Sequence, residues 1–272
     1  MRIQHYLFAG SLIVACTSCA PKLQKNSEQL MKGIAYRQLE PEGEECSDIE
    51  KLNVSWYYNW TPNPNCPENE DVEFIPMIWS EKYLVDDNYE KYIVPLIGSD
   101  YTDLLGYNEP NWKGQAEMTV EEALQYWPML EETGLRLGSP STTGRTGLDW
   151  TIEFMKGAKT RGYRIDFLAL HWYGDCSNTE GLKNFLDYYD AFGMPMWLTE
   201  WSCYKQDMAT NTAFLERIVP VLESYDRLER YAWYSNRTTS ESYQGAALFD
   251  STGKPTSAGE IYINLPAHHN KT

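Results

Sequence analysis

Eight short segments rich in aromatic or β-branched residues recur along this chain, with helix-like stretches between most of them. In order they are 33–37 (GIAYR), 52–60 (LNVSWYYNW), 73–79 (EFIPMIW), 103–108 (DLLGYN), 135–139 (LRLGS), 165–173 (IDFLALHWY), 195–201 (PMWLTEW) and 230–236 (RYAWYSN). Strands that alternate with helices form parallel sheets, because each return crossing needs a helix's length of chain. Eight such units in a chain of 272 residues predict a single α/β domain, a (β/α)8 TIM barrel over 33–265. An open doubly wound sheet is the alternative, but no Gly-rich phosphate loop follows any strand.

Helix boundaries are legible. Thr119 and Glu122 form a capping-box pattern ahead of Ala123, Leu124, Trp127 and Leu130, and Gly134 stops that helix. Further helices are expected over 148–158, stopped by Gly162, from Thr179 to Gly193, over 207–224 with a kink at Pro220, and over 257–265. A helix over 82–94 is expected after the third strand. Residues 61–72 (TPNPNCPENEDV) show no helical pattern, so an irregular loop replaces the helix between strands two and three.

The N-terminus reads as a targeting segment. Arg2 precedes an apolar run, 6–15, that is too short to span a bilayer. It ends in Ile13-Val14-Ala15-Cys16, which resembles a bacterial lipobox. That resemblance implies a signal peptide over 1–15, lipidation of Cys16, a tether over 16–32, and a lipid-anchored protein of the bacterial cell envelope, on the outer membrane or cell surface. A plain secretory signal is the competing reading. Residues 266–272 form a polar tail.

Export implies an oxidising compartment. Cys46, Cys66, Cys176 and Cys203 then allow three pairings. Cys46–Cys66 and Cys176–Cys203 are favoured from their places in the expected fold, since Cys176 and Cys203 lie just beyond neighbouring strands. Metal ligation competes, but no CxxC of zinc-finger spacing follows the signal region.

Composition narrows the function. A net charge of −16 argues against nucleic acid as a partner. With 10 Trp and 20 Tyr, the chain suits either sugar binding or a large aromatic core. Of the four His, only His171 lies within the expected barrel body, and neither G-x-S-x-G nor H-E-x-x-H occurs. No metal or cofactor is called for.

Active residues of such barrels sit at the C-terminal ends of strands. Strand four ends in Asn108-Glu109-Pro110 and strand seven in Thr199-Glu200-Trp201. These strands face each other across the mouth. Their carboxyls could approach to about the 5–5.5 Å that a retaining glycosidase needs. The pattern resembles the large clan of retaining (β/α)8 glycosidases. The resemblance implies Glu109 as acid/base, Glu200 as nucleophile, Asn108 on the sugar 2-hydroxyl, and Tyr173 donating to Glu200.

A narrower likeness follows from WYYNW (56–60), EFIPMIW (73–79), LLGYNEPN (104–111), LGSPS (137–141), DFLALHWYG (166–174), WLTEW (197–201) and YAWYSN (231–236). In that order they resemble glycoside hydrolase family 128, over about 33–264. The resemblance implies a β-1,3-glucanase, expected to be endo-acting and monomeric, with β-glucan as its partner. His171, Trp79, Trp112, Trp201 and Trp233 are candidates to touch sugar, and Tyr36, Asn59 and Asn236, at strand ends, are further ones. A glycan-binding lipoprotein with little turnover, or a same-clan enzyme for β-1,4 or mixed-linkage glucan, are the alternatives.

Overall fold

The computed structural model describes residues 31–267, apart from 42–43, 45, 68–70 and 145. The leader, Cys16, most of the tether and His268–His269 lie outside the described residues.

The described residues hold eight strands: β1 (Met31–Ala35), β2 (Trp56–Tyr58), β3 (Glu73–Phe74), β4 (Asp103–Leu104), β5 (Arg136–Leu137), β6 (Leu168–Gly174), β7 (Met196–Cys203) and β8 (Leu228–Trp233). Every pairing between them is parallel. One sheet runs β3-β2-β1-β8-β7-β6, and β4-β5 form a second. Parallel bridges Met77↔Leu105 and Gly138↔Phe167 sit at the two seams. Each strand therefore lies beside its sequence neighbours and β8 lies beside β1, the cyclic order of a (β/α)8 fold.

Strands three to five are shorter than their apolar runs suggest. Pro76 is one cause: it has no N–H to give to a ladder, and only its carbonyl takes part, accepting from Leu105 at 2.9 Å. β1 begins earlier than expected, at Met31, and takes in Lys32 from the end of the tether. The Lys32 ammonium is buried and donates to the carbonyls of Tyr262 and Leu265, at 2.8 and 2.7 Å. Those carbonyls lie at the end of the last helix, where backbone acceptors have no helical partner.

The major helices are α3 (Val120–Glu131), α4 (Gly147–Arg161), α5 (Glu180–Asp190), α6 (Met208–Glu223) and α7 (Ser257–Asn264), preceded by the short α1 (Ser47–Lys51) and α2 (Asn88–Tyr92). The Thr119 capping box forms, with Glu122 N donating to Thr119 Oγ1 at 3.2 Å and Thr119 N to Glu122 Oε2 at 2.8 Å. Gly162 closes α4 with φ 73°. Pro220 lies inside α6. The single helix expected over 82–94 is instead broken into a 3-10 turn, α2 and a second 3-10 turn. Asp86 interrupts it with φ 53°, in a run of Asp and Asn whose side chains compete for backbone hydrogen bonds. No helix of the described residues is long and apolar enough to cross a membrane.

The ring of strands encloses a packed aromatic layer. Phe167 stacks on Trp197 at 4.1 Å, and Trp56 lies 5.5 Å from Trp197. Below them Arg230 sits 4.2 Å over Trp197 and pairs with Glu73 at 2.6 Å, so the end opposite the strand C-termini is plugged by a charged group on a ring face. Gly33 is needed for this packing, since a Cβ there would lie 2.3 Å from the Trp56 indole. The strand C-termini face the other way and carry the loops. Both favoured disulfides are formed: Cys46–Cys66 ties the β1 and β2 loops, and Cys176–Cys203 ties the β6 and β7 loops.

Candidate active site

Two carboxyls meet at the mouth of the ring. Glu109 follows β4 with φ 44°, a left-handed conformation that costs a non-glycine residue energy. It is held by its N–H to the Ser141 carbonyl at 2.7 Å and by its own carbonyl, which accepts from Trp112 N at 2.9 Å. Glu200 stands on β7, where its register partner on β6 is His171. His171 Nδ1 lies 3.0 Å from Glu109 Oε1, and Nε2 lies 3.4 Å from Glu200 Oε1. One ligand atom from each of the three residues lies within 4.8 Å of the others. Both glutamates are buried, Glu109 with 6 % and Glu200 with 4 % of the residue surface exposed.

The two carboxyls differ in their partners. Glu200 Oε1 accepts from Tyr58 Oη at 2.9 Å and from Trp60 Nε1 at 2.7 Å, while Oε2 accepts from Tyr173 Oη. Burial pushes the Glu200 carboxyl up. His171 opposes the rise, the Glu109 charge adds to it, and the donors Tyr173 and Trp60 pull down, with a net value above the ordinary carboxylate range. Burial pulls the His171 imidazole down, but Glu200 and Glu109 more than offset it, and His171 titrates above its ordinary value. Burial first and the Glu200 charge second hold Tyr58 and Tyr173 well above the usual phenol range, so both stay protonated donors.

Glu109, His171 and Glu200 are close enough to share a cation. The donors argue against one. Two polarised hydrogens, from Tyr58 and Trp60, already point at Glu200 Oε1 and would face a cation bound there.

A cleft of about 660 Å³ opens over the carboxyls. Trp79, Asn108, Trp112 and Tyr173 line it, and His171 lies beneath, between the carboxyls. Asn108 Nδ2 donates to Gln115 at 3.3 Å, and its Oδ1 is buried without a protein partner. Other candidates lie elsewhere. Trp201 and Trp233 are fully buried, packed on each other at 4.6 Å, with Trp233 Nε1 donating to the Ala246 carbonyl at 2.7 Å. Alternation explains Trp201: Glu200 faces the mouth, so its neighbour faces the helix layer and Phe214. Asn59 organises its own loop, with Oδ1 accepting from Thr61 N and Nδ2 donating to Asn65. Tyr36 is buried against Glu40. Asn236 is buried, bonded to the Arg37 backbone on both sides and to Asp48 at 2.9 Å.

Sequence reasoning missed Tyr58 and Trp60, the donors on Glu200. The signal was present, since alternation from Trp56 places 56, 58 and 60 on one side and Asn59 on the other. It also missed Arg37, Tyr234 and Tyr243, which line the cleft. Tyr173, Tyr234 and Tyr243 form one aromatic wall, with centroids 5.1–5.6 Å apart. Tyr243 comes from a 3-10 turn, Glu241–Ala246, in the connection after β8, too short to show a periodicity.

A family model described as "Glycosyl hydrolase catalytic core" matches residues 33–262. Among solved structures, the chain is similar to a glycoside hydrolase family 128 (subgroup I) endo-β-1,3-glucanase from Amycolatopsis mediterranei in complex with laminaritriose. The identity is 33 %, covering 86 % of this chain and 98 % of that one, with a TM-score of 0.73. A subgroup II endo-β-1,3-glucanase from Sorangium cellulosum is 28 % identical, covering 88 % of this chain and 99 % of its own, with a TM-score of 0.76. Alkali-sensitive linkage protein 1 of Schizosaccharomyces pombe is 29 % identical over 231 residues, 78 % of this chain. The chain spans 40 % of the length of that curated relative.

Proposed function

The chain belongs to glycoside hydrolase family 128 and is a glycoside hydrolase, and we propose that it cleaves β-1,3-glucan internally with retention of anomeric configuration. The approach of the two carboxyls carries the reading. Atoms of Glu109 and Glu200 within 4.8 Å match the roughly 5–5.5 Å separation of retaining enzymes and leave no room for the water an inverting enzyme places between them.

The roles follow from the donors. Three hydrogen bonds to Glu200 favour its ionised form against the burial that raises it, and this suits the nucleophile role. The Glu109 carboxyl is bonded only to the His171 imidazole among the described residues, and the acid/base role falls to Glu109. Glu109 protonates the glycosidic oxygen as Glu200 attacks the anomeric carbon, forming a glycosyl ester and releasing the leaving chain. Glu109, now a carboxylate, takes a proton from water, which attacks the same carbon and frees Glu200. The free Asn108 Oδ1 suits a sugar hydroxyl, and Trp79 and Trp112 suit the C–H faces of pyranose rings. The β-1,3 linkage and internal cleavage are supported by what the relatives are named for. Digestion of laminarihexaose and cellohexaose tests this. The expected result is mid-chain cutting of laminarihexaose and an intact cellohexaose; release of glucose alone, or cellohexaose cleavage at equal rate, contradicts it.

Trp60→Phe removes one donor from Glu200 while keeping an aromatic wall. Trp60 favours the charged form, so its loss raises the Glu200 pKa further. Activity requires that form, and it falls as pH drops through this pKa. The acid limb of the kcat/KM profile therefore moves to higher pH, and kcat at the optimum falls about tenfold, the worth of one hydrogen bond to a charged group. An acid limb that stays in place contradicts the assignment.

A further inference from the structure

Trp112 comes three residues after Glu109 and is 53 % exposed. It is not a loose side chain on a loose loop. Its N–H donates to the Glu109 carbonyl at 2.9 Å, and its carbonyl accepts from Gln115 N at 3.1 Å. The preceding Asn111 is clamped to Thr143, donating to its carbonyl at 2.6 Å and accepting from its N–H at 3.0 Å. The indole lies across Gly144, where a Cβ would come 3.3 Å from Cζ3. The backbone that carries the ring is thus held at both ends, and the indole stands open to water.

One edge of Trp112 borders the catalytic cleft. It also borders a second groove of about 730 Å³, between segment 110–120 and the start of α4. Trp150 lines this groove with its ring stacked on Phe154 at 5.5 Å and its N–H spent on the Met118 carbonyl at 3.2 Å, leaving aromatic carbon to offer. Glu117 and Glu153 line it as well. Aromatic faces flanked by carboxylate acceptors suit a neutral polyol, whose C–H faces cover rings and whose hydroxyls donate.

We propose that this groove is a distal glucan-binding site, which holds the polysaccharide beyond the sugars that occupy the cleft. The occupant is the same chain, because Trp112 is common to both hollows and a strand leaving the cleft over it enters the groove. The proposal rests on the reading of the cleft as a β-1,3-glucan site.

Glu153→Lys tests it at an exposed helical position that takes no part in the core. The ratio of kcat/KM for laminarin to that for laminaritetraose is expected to fall about fivefold or more, the worth of one lost hydrogen bond. An unchanged ratio overturns the proposal. A second measurement needs no turnover. Retention of the Glu200→Gln protein on insoluble curdlan is expected to weaken when Glu153→Lys is added, and equal retention overturns the distal site. A wild-type protein that leaves every β-1,3-glucan uncut, yet loses curdlan retention through Glu153→Lys, overturns the cleft reading and leaves the groove standing.

Discussion

Replacing Glu200 with alanine is expected to stop β-1,3-glucan hydrolysis, with kcat lower by on the order of 10⁴-fold or more, while glucan still binds. Attack at the anomeric carbon needs a negatively charged oxygen at that place, and the nearest other carboxyl belongs to the acid. The donors Tyr58, Trp60 and Tyr173 remain and line an empty pocket of about the removed group's size. Azide, a small anionic nucleophile, fits there. Added azide is expected to restore turnover of an activated aryl β-laminaribioside, and the product is an α-glycosyl azide because a single displacement inverts the centre. Turnover near the wild-type rate without azide contradicts the nucleophile assignment.

Glu109→Ala is expected to behave differently. The loss depends on the leaving group, about 10²–10⁴-fold on glucan, the usual worth of a positioned proton donor. It is small for the first step with a dinitrophenyl leaving group, which departs without a proton. The second step then lacks its base, so such a substrate gives a burst followed by slow turnover. Azide attacks the glycosyl ester on Glu200 and yields a β-glycosyl azide, the opposite anomer from the Glu200 variant. Equal losses on glucan and on the dinitrophenyl substrate contradict the acid/base assignment.

The architecture was legible because it rests on patterns repeated along the whole chain. Aromatic and β-branched runs separated by capped helical segments survive small errors at each boundary, and the Thr119 box and Gly162 stop lie where their chemistry puts them. The failures are local. Pro76 shortens β3 within an apolar run, and Asp86 breaks a segment whose periodicity reads as one helix. At the site, a carboxylate at a strand end is visible in sequence, since position along the strand decides it. Which neighbouring aromatic faces the mouth depends on alternation and on bulges. Register shifts between Leu170 and His171, and again along β7, move that alternation. Trp201 and Trp233, candidates in the sequence to touch sugar, are core, while Tyr58 and Trp60, which are not among those candidates, hold Glu200. Tyr243 reaches the cleft from a 3-10 turn after β8, and only tertiary packing brings it there.

The proposed mechanism makes two displacements at one carbon. Proton NMR of a laminarihexaose digest in its first minutes, before mutarotation equilibrates the new reducing ends, reads this outcome directly. The account predicts that the β-anomer appears first and the α-anomer grows in later; first appearance of the α-anomer contradicts it.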